Sequence, residues 1–171
     1  MKERENIVTM KGSPLTLLGS AVQIGQAAPN FTVVGNDLSE VRLSDFKGSI
    51  IVISAVPSLD TPVCDVQTRR FNEEAARLGD KVVILTISMD LPFAQSRWCG
   101  AAGVKQVKTL SDYQQADFGT KYGVLIKGLR LLARTVLVIG SDGTIQYVQI
   151  VPEVTDEPDY EAVITAVKKL L

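Results

Sequence analysis

No histidine occurs among the 171 residues, and that absence removes whole mechanisms: neither a Ser-His-Asp triad nor a Cys-His pair can be assembled. Cysteine is nearly as scarce, with two in the chain. A four-ligand zinc site would have to draw on carboxylates, so no metal and no cofactor is expected. Neither sign of charge is in excess, because 18 Lys and Arg against 19 Asp and Glu leave a net charge of -1. Such a balance gives no electrostatic footprint for nucleic acid or an anionic membrane surface. Long apolar runs are missing too, and none approaches the roughly 18 to 20 residues needed to span a bilayer. The early stretch Leu15 to Ile24 is broken by Thr16, Gly19, Ser20 and Gln23 and follows Glu3, Glu5 and Pro14, which makes a poor secretion signal. The expectation is a cytoplasmic protein that acts on small, weakly charged substrates, with no nucleic-acid or membrane partner.

What remains is ordinary globular material. Hydrophobic residues make up 46% and charged residues 22%, so one domain spanning residues 1–171 is expected. Residues 1–25 read as an N-terminal β-hairpin extension, with Ile7 to Met10 and Leu15 to Leu18 flanking the turn Lys11-Gly12-Ser13-Pro14. A second short hairpin is expected from Phe31 to Val34 and Val41 to Leu43 about Gly35-Asn36-Asp37. Ser49 to Val56 is a nearly continuous β-branched run, the pattern of a strand buried on both faces, and Lys81 to Ile87 is another. Between them Pro62 to Leu78 has a helical pattern that closes at Gly79, giving a β-α-β unit with parallel strands. Helices are then expected over Pro92 to Ala101 and Tyr113 to Lys121, a hairpin from Thr135 to Ile139 and Thr144 to Val151, and an amphipathic helix from Asp159 to Leu171. This order predicts an α/β protein with a mixed central β-sheet flanked by helices, the order of a thioredoxin-like fold.

Cys64 falls between the first buried strand and its helix. With Thr61 as N-cap, Pro62 takes the first helical position, where a missing amide hydrogen is harmless, and Cys64 takes the third. The unpaired amides and partial positive charge of that terminus favour an anion, and thiols so placed ionise at about 3.5 to 7.5 against ~8.5 for a free cysteine. Phe71, Ala75 and Leu78 share the helix face of Cys64, which directs the sulfur inward, toward a narrow pocket suited to a small oxidant. On spacing alone Cys64 also reads as a small buried hydrophobe. Cys99 lies beyond it in Arg97-Trp98-Cys99-Gly100, too far along for a C-x-x-C pair, and taken alone it reads as inert. Arg134, at the head of a strand, reads alone as a solvated boundary residue, as do Arg69 and Arg70 on the helix, while Trp98 reads as core.

The segment Pro57-Ser58-Leu59-Asp60-Thr61-Pro62-Val63-Cys64 contains P-x-x-x-T-x-x-C, which resembles the active-site pattern of the peroxiredoxins. SLDTPVCDVQTRRFNEEAARLGD, TISMDLPFAQSRWCGA and KGLRLLARTVLVI resemble more narrowly the thiol peroxidase branch of that family, an atypical two-cysteine type, and the likeness covers nearly the whole chain. The resemblance implies that Cys64 is the peroxidatic nucleophile, with Thr61 bonding the thiolate and peroxide, Pro57 shielding the pocket and Arg134 supplying positive charge. It also implies that Cys99 is the resolving thiol of the same chain, that hydrogen peroxide and organic hydroperoxides are the substrates, that thioredoxin is the reductant, and that the protein is a homodimer. Resolution needs the two sulfurs in contact, and a disulfide tolerates Cα separations of only about 4.4 to 6.8 Å. The first turn around Cys64 or the segment Pro92 to Gly103 is therefore expected to unfold locally between half-reactions. Two other functions use the same residues: a peroxide sensor that passes oxidation to a partner protein, and a redox-inert interaction module.

Overall fold

The run Ile50 to Ala55 is β-branched and small throughout, and it forms the central strand β5 (Ile50–Ala55), buried along its whole length. Its parallel neighbour β6 (Val82–Ser88) can be reached only by a crossover, which helix α1 (Pro62–Leu78) supplies. A second crossover through α2 (Pro92–Ala102) adds β7 (Lys108–Ser111) in parallel to β6. On the other side of β5, β9 (Thr135–Ile139) runs antiparallel and turns into β10 (Ile145–Ile150). The hairpin of β3 (Thr32–Val34) and β4 (Glu40–Arg42) completes a seven-stranded mixed sheet in the order β10-β9-β5-β6-β7-β3-β4. The computed structural model describes residues 1–105 and 107–171.

Alternation along β5 sorts the core into two layers. Ile50 and Val52 face a cluster with Phe71 of α1 and with Val163 and Val167 of α4 (Tyr160–Lys168). Ile51, Ile53 and Ala55 face the opposite cluster, which holds Phe31, Phe118, Tyr122 and Leu125. Helix α3 (Asp117–Lys121) lies on that second side. The N-terminal extension is an antiparallel pair, β1 (Glu3–Met10) and β2 (Ser13–Leu18), and β8 (Leu125–Ile126) joins it to make a separate three-stranded sheet. It is tied down by Val8 and Leu17 in the core and by Arg4, whose Nη1 donates to the carbonyls of Gly19 and Gly123.

The helix expected from Tyr113 begins instead at Asp117. The cause is Asp112, whose carboxylate accepts the amides of Phe118 at 3.1 Å and Gly119 at 2.8 Å. Those bonds hold 113–116 in a turn, with Ala116 at φ 51°. Burial pushes the Asp112 carboxyl up to about 6 from 3.8, although the Gly119 and Phe118 amides pull it down, and the nearby Asp117 charge adds to the rise. Between those values the folded protein holds a proton that the unfolded chain releases. The group therefore favours folding on the acid side, and that contribution is lost as pH rises from about 4 to about 6. In urea titrations across this range wild type should lose about 3 kcal/mol relative to Asp112→Asn. Parallel pH profiles for the two proteins would show that burial of this carboxyl has no such consequence.

Candidate active site

The parallel pairing of β5 with β6 and the antiparallel pairing of β5 with β9 bring three segments together at one end of these strands. They are the end of β5 leading into Pro57, the end of β6 leading into Asp90, and the start of β9 preceded by Arg134. Ala55 pairs with Thr135, so Arg134 sits level with Val56 and beside the entry to α1. Thr61 has the extended conformation of an N-cap and Pro62 opens the helix, which puts Cys64 in the first turn at the positive end of the helix dipole.

Cys64 is a free thiol with 0% exposure, packed with Val56 and Leu59 and covered in part by Trp98. This closed packing stands where a narrow pocket was expected. Arg134 approaches the sulfur from within, with Nη2 donating to Sγ at 3.2 Å. It is only 2% exposed, and its other two nitrogens each donate as well: Nε to the carbonyl of Val154 at 2.8 Å and Nη1 to Oε1 of Gln67 at 2.7 Å. Gln67 is locked in turn, since its Nε2 donates to Oγ of Ser54 at 2.6 Å. The carbonyl of Cys64 accepts the hydroxyl of Thr68 at 2.8 Å.

Pro57 is buried in the loop ahead of α1. Thr61 is exposed, and its hydroxyl donates to the carbonyl of Ser58 at 3.0 Å. Thus the structure brings Arg134 onto Cys64, keeps Pro57 in the adjoining loop, and turns the Thr61 hydroxyl to the loop backbone. Cys99 is also free but half-buried, and it stands elsewhere. Its Sγ lies 3.3 Å from Oγ1 of Thr109 on β7, in a cleft of about 420 Å³ that Asn36 and Phe46 also line. Its neighbour Trp98 turns the other way, packing toward Cys64 and donating through Nε1 to Asp65 at 2.9 Å. Arg69 and Arg70 are exposed, and the Arg69 guanidinium lies 5.7 Å from the Trp98 ring centre.

Sequence reasoning passed over Gln67 and Asp90. A signal for Gln67 existed, because the buried positions of α1 are Cys64, Gln67, Thr68, Phe71 and Glu74. A polar residue on the inward stripe of a helix must find a buried partner. Asp90, in the loop after β6, accepts Ser58 Oγ, the Leu59 amide and Ser88 Oγ at 2.7 to 2.8 Å, fixing the loop that carries Pro57. Nothing in its sequence position announces those partners.

The family model described as Redoxin matches residues 23–164. The chain belongs to the Redoxin family. Among its members the chain is 58% identical to a thiol peroxidase of Halalkalibacterium halodurans, over 96% of this chain and 98% of that one. A thiol peroxidase of Bacillus subtilis is 55% identical over the same shares. A solved structure of a peroxiredoxin-like protein from Aquifex aeolicus superposes with a TM-score of 0.91 at 44% identity, covering 97% of this chain and 98% of that one. These relatives put the chain in the thiol peroxidase branch and its sheet in the thioredoxin-like class. No helix among the described residues is long and apolar enough to cross a membrane.

Proposed function

We propose that the chain is a thiol-dependent peroxidase in which Cys64 reduces hydrogen peroxide and organic hydroperoxides and Cys99 resolves the product. The observation that carries this reading is the burial of Arg134 against the Cys64 sulfur. A guanidinium removed from water needs an opposing charge, and two of its bonds go to the neutral acceptors Val154 and Gln67. The sulfur is the remaining partner and can carry that charge as a thiolate, which the helix terminus also favours.

The thiolate attacks the terminal oxygen of the hydroperoxide, an S–O bond forms, the O–O bond breaks, and water or an alcohol leaves after taking a proton. The Arg134 donors stabilise charge that builds on the peroxide oxygens. Cys64 is left as a sulfenic acid. Attack by Cys99 on that sulfur forms the disulfide and expels water, and a dithiol of the thioredoxin type then reduces the disulfide through a mixed disulfide. Pro57 shields the sulfur, and Thr61 turns its hydroxyl to the peroxide when the substrate enters. Because Cys99 faces Thr109 while Trp98 faces Cys64, resolution requires α2 or the first turn of α1 to open. Helix α2 is suited to leaving, since Pro92 and Gln95 are its two buried residues. A homodimer in the cytoplasm, recycled by thioredoxin, completes the proposal.

Peroxide treatment followed by mass spectrometry tests the roles. Wild type should yield a Cys64 to Cys99 disulfide and consume peroxide continuously with thioredoxin and its reductase. Cys99→Ser should stop at sulfenic or sulfinic acid on Cys64. One stoichiometric oxidation without turnover would favour a sensor that relays oxidation to a partner, and sustained turnover by Cys99→Ser would remove Cys99 from the mechanism.

A further inference from the structure

Two regions must cooperate in this chemistry, the loop that leads into Cys64 and the helix that bears Cys99, and both converge on Asp90. Its carboxylate accepts Ser58 Oγ at 2.7 Å and the Leu59 amide at 2.8 Å. Ser58 in turn accepts the Thr61 hydroxyl on its carbonyl, so this clamp sets the loop and the N-cap of α1 together. On the other side, Asp90 stands two residues ahead of Pro92, where α2 begins. The same carboxylate accepts Ser88 Oγ at 2.7 Å, and that oxygen accepts Nε2 of Gln95, one of the buried anchors of α2, at 2.9 Å. Its backbone carbonyl accepts the hydroxyl of Ser111 on β7.

The seat of α2 is meanwhile imperfect. Nε2 of Gln95 is satisfied by Ser88 and by the carbonyl of Leu110, but its buried Oε1 has no hydrogen-bond partner among the described residues. An acceptor left unmatched in the docked helix would meet water on release, which biases α2 toward opening. Phe93 and Leu91, 67% and 52% exposed at the start of α2, add little to hold it.

We infer that Asp90 is a positioning residue that links the two half-reactions: it fixes the Cys64 loop for attack on peroxide while α2 is docked, and its clamp delays the release of α2 that brings Cys99 to the sulfenic acid. The inference rests on the peroxidatic reading of Cys64. The lifetime of that sulfenic acid decides its fate. Attack by Cys99 gives disulfide and water, whereas attack by the sulfenate on a second hydroperoxide forms another S–O bond, breaks another O–O bond and leaves sulfinic acid with water or alcohol.

Asp90→Asn keeps the shape and removes an acceptor oxygen. It should slow the oxidation of Cys64 by about tenfold in a stopped-flow measurement. At equal peroxide it should also lower the fraction of Cys64 found as sulfinic acid by mass spectrometry, because resolution comes sooner. Ser58→Ala, which deletes a single loop hydroxyl, should shift both readouts the same way, and the double variant should match Asp90→Asn. Val167→Ala, a core truncation in α4, should lower the unfolding midpoint and leave the sulfinic fraction unchanged. An oxidation rate equal to wild type in both Asp90→Asn and Ser58→Ala, or a sulfinic fraction that rises, overturns the inference. Failure of wild type itself to oxidise at Cys64 would instead sink the peroxidatic reading and the clamp with it.

Discussion

Replacing Arg134 with methionine should slow the oxidation of Cys64 by peroxide by roughly 10²- to 10³-fold, the usual effect of deleting a preorganised donor to developing negative charge. Stability should fall too, for a different reason. Methionine fills the space of the stem, and the groups left unmatched are Oε1 of Gln67 and the carbonyl of Val154. Two orphaned acceptors of this kind cost about 1 to 3 kcal/mol each, before relaxation. Gln67→Leu should show the same pattern more weakly, because it frees Arg134 from one tether and leaves the bond to Cys64 in place. Stopped-flow oxidation and urea unfolding, measured on the same preparations, separate the two effects. A variant that lost stability while retaining its oxidation rate would remove Arg134 from the chemistry.

Cys64→Ser should lower peroxide consumption by roughly 10³-fold or more, since an alcohol without an adjacent base is not a nucleophile toward peroxide at neutral pH. The shape is kept, but the buried Arg134 loses its opposing charge, so stability should fall as well. Serine is nearly isosteric, and Nη2 of Arg134 can donate to the new oxygen as it donates to sulfur. A coupled assay with thioredoxin and its reductase reads the loss directly, and retained activity would transfer the nucleophile elsewhere.

Much of this architecture could be read from local pattern. Helix α1 runs from Pro62 to Leu78 as expected, because a proline start and the glycine at 79 mark both ends. Strands β5 and β6 announce themselves by β-branched runs buried on both faces. Strand β7 has four residues and β8 two, and with no hairpin turn to mark them, as Gly35-Asn36-Asp37 marks β3 and β4, only tertiary pairing reveals them. Helix α3 starts later than its pattern suggests because Asp112 caps it across a turn that carries no periodic signal.

The candidate site divides the same way. The helix-start position of Cys64 is a local fact. The meeting of Arg134 with its sulfur depends on the register that sets Ala55 against Thr135, and no spacing within the chain reports it. The resemblance pointed to Arg134 where position alone did not. Gln67 lay open to inference as a polar residue on a buried helix face, whereas Asp90 became meaningful only when Ser58 and Leu59 were found on its carboxylate.

The complete enclosure of the Cys64 sulfur changes how its reactivity must be probed. A bulky alkylating agent cannot slip past Val56, Leu59 and Trp98 while they stay packed, so it reacts only with the fraction of molecules that have momentarily opened. Labelling should then level off as the reagent is made more concentrated, at a plateau equal to the opening frequency. A sluggish label on this sulfur would measure the breathing of its cover.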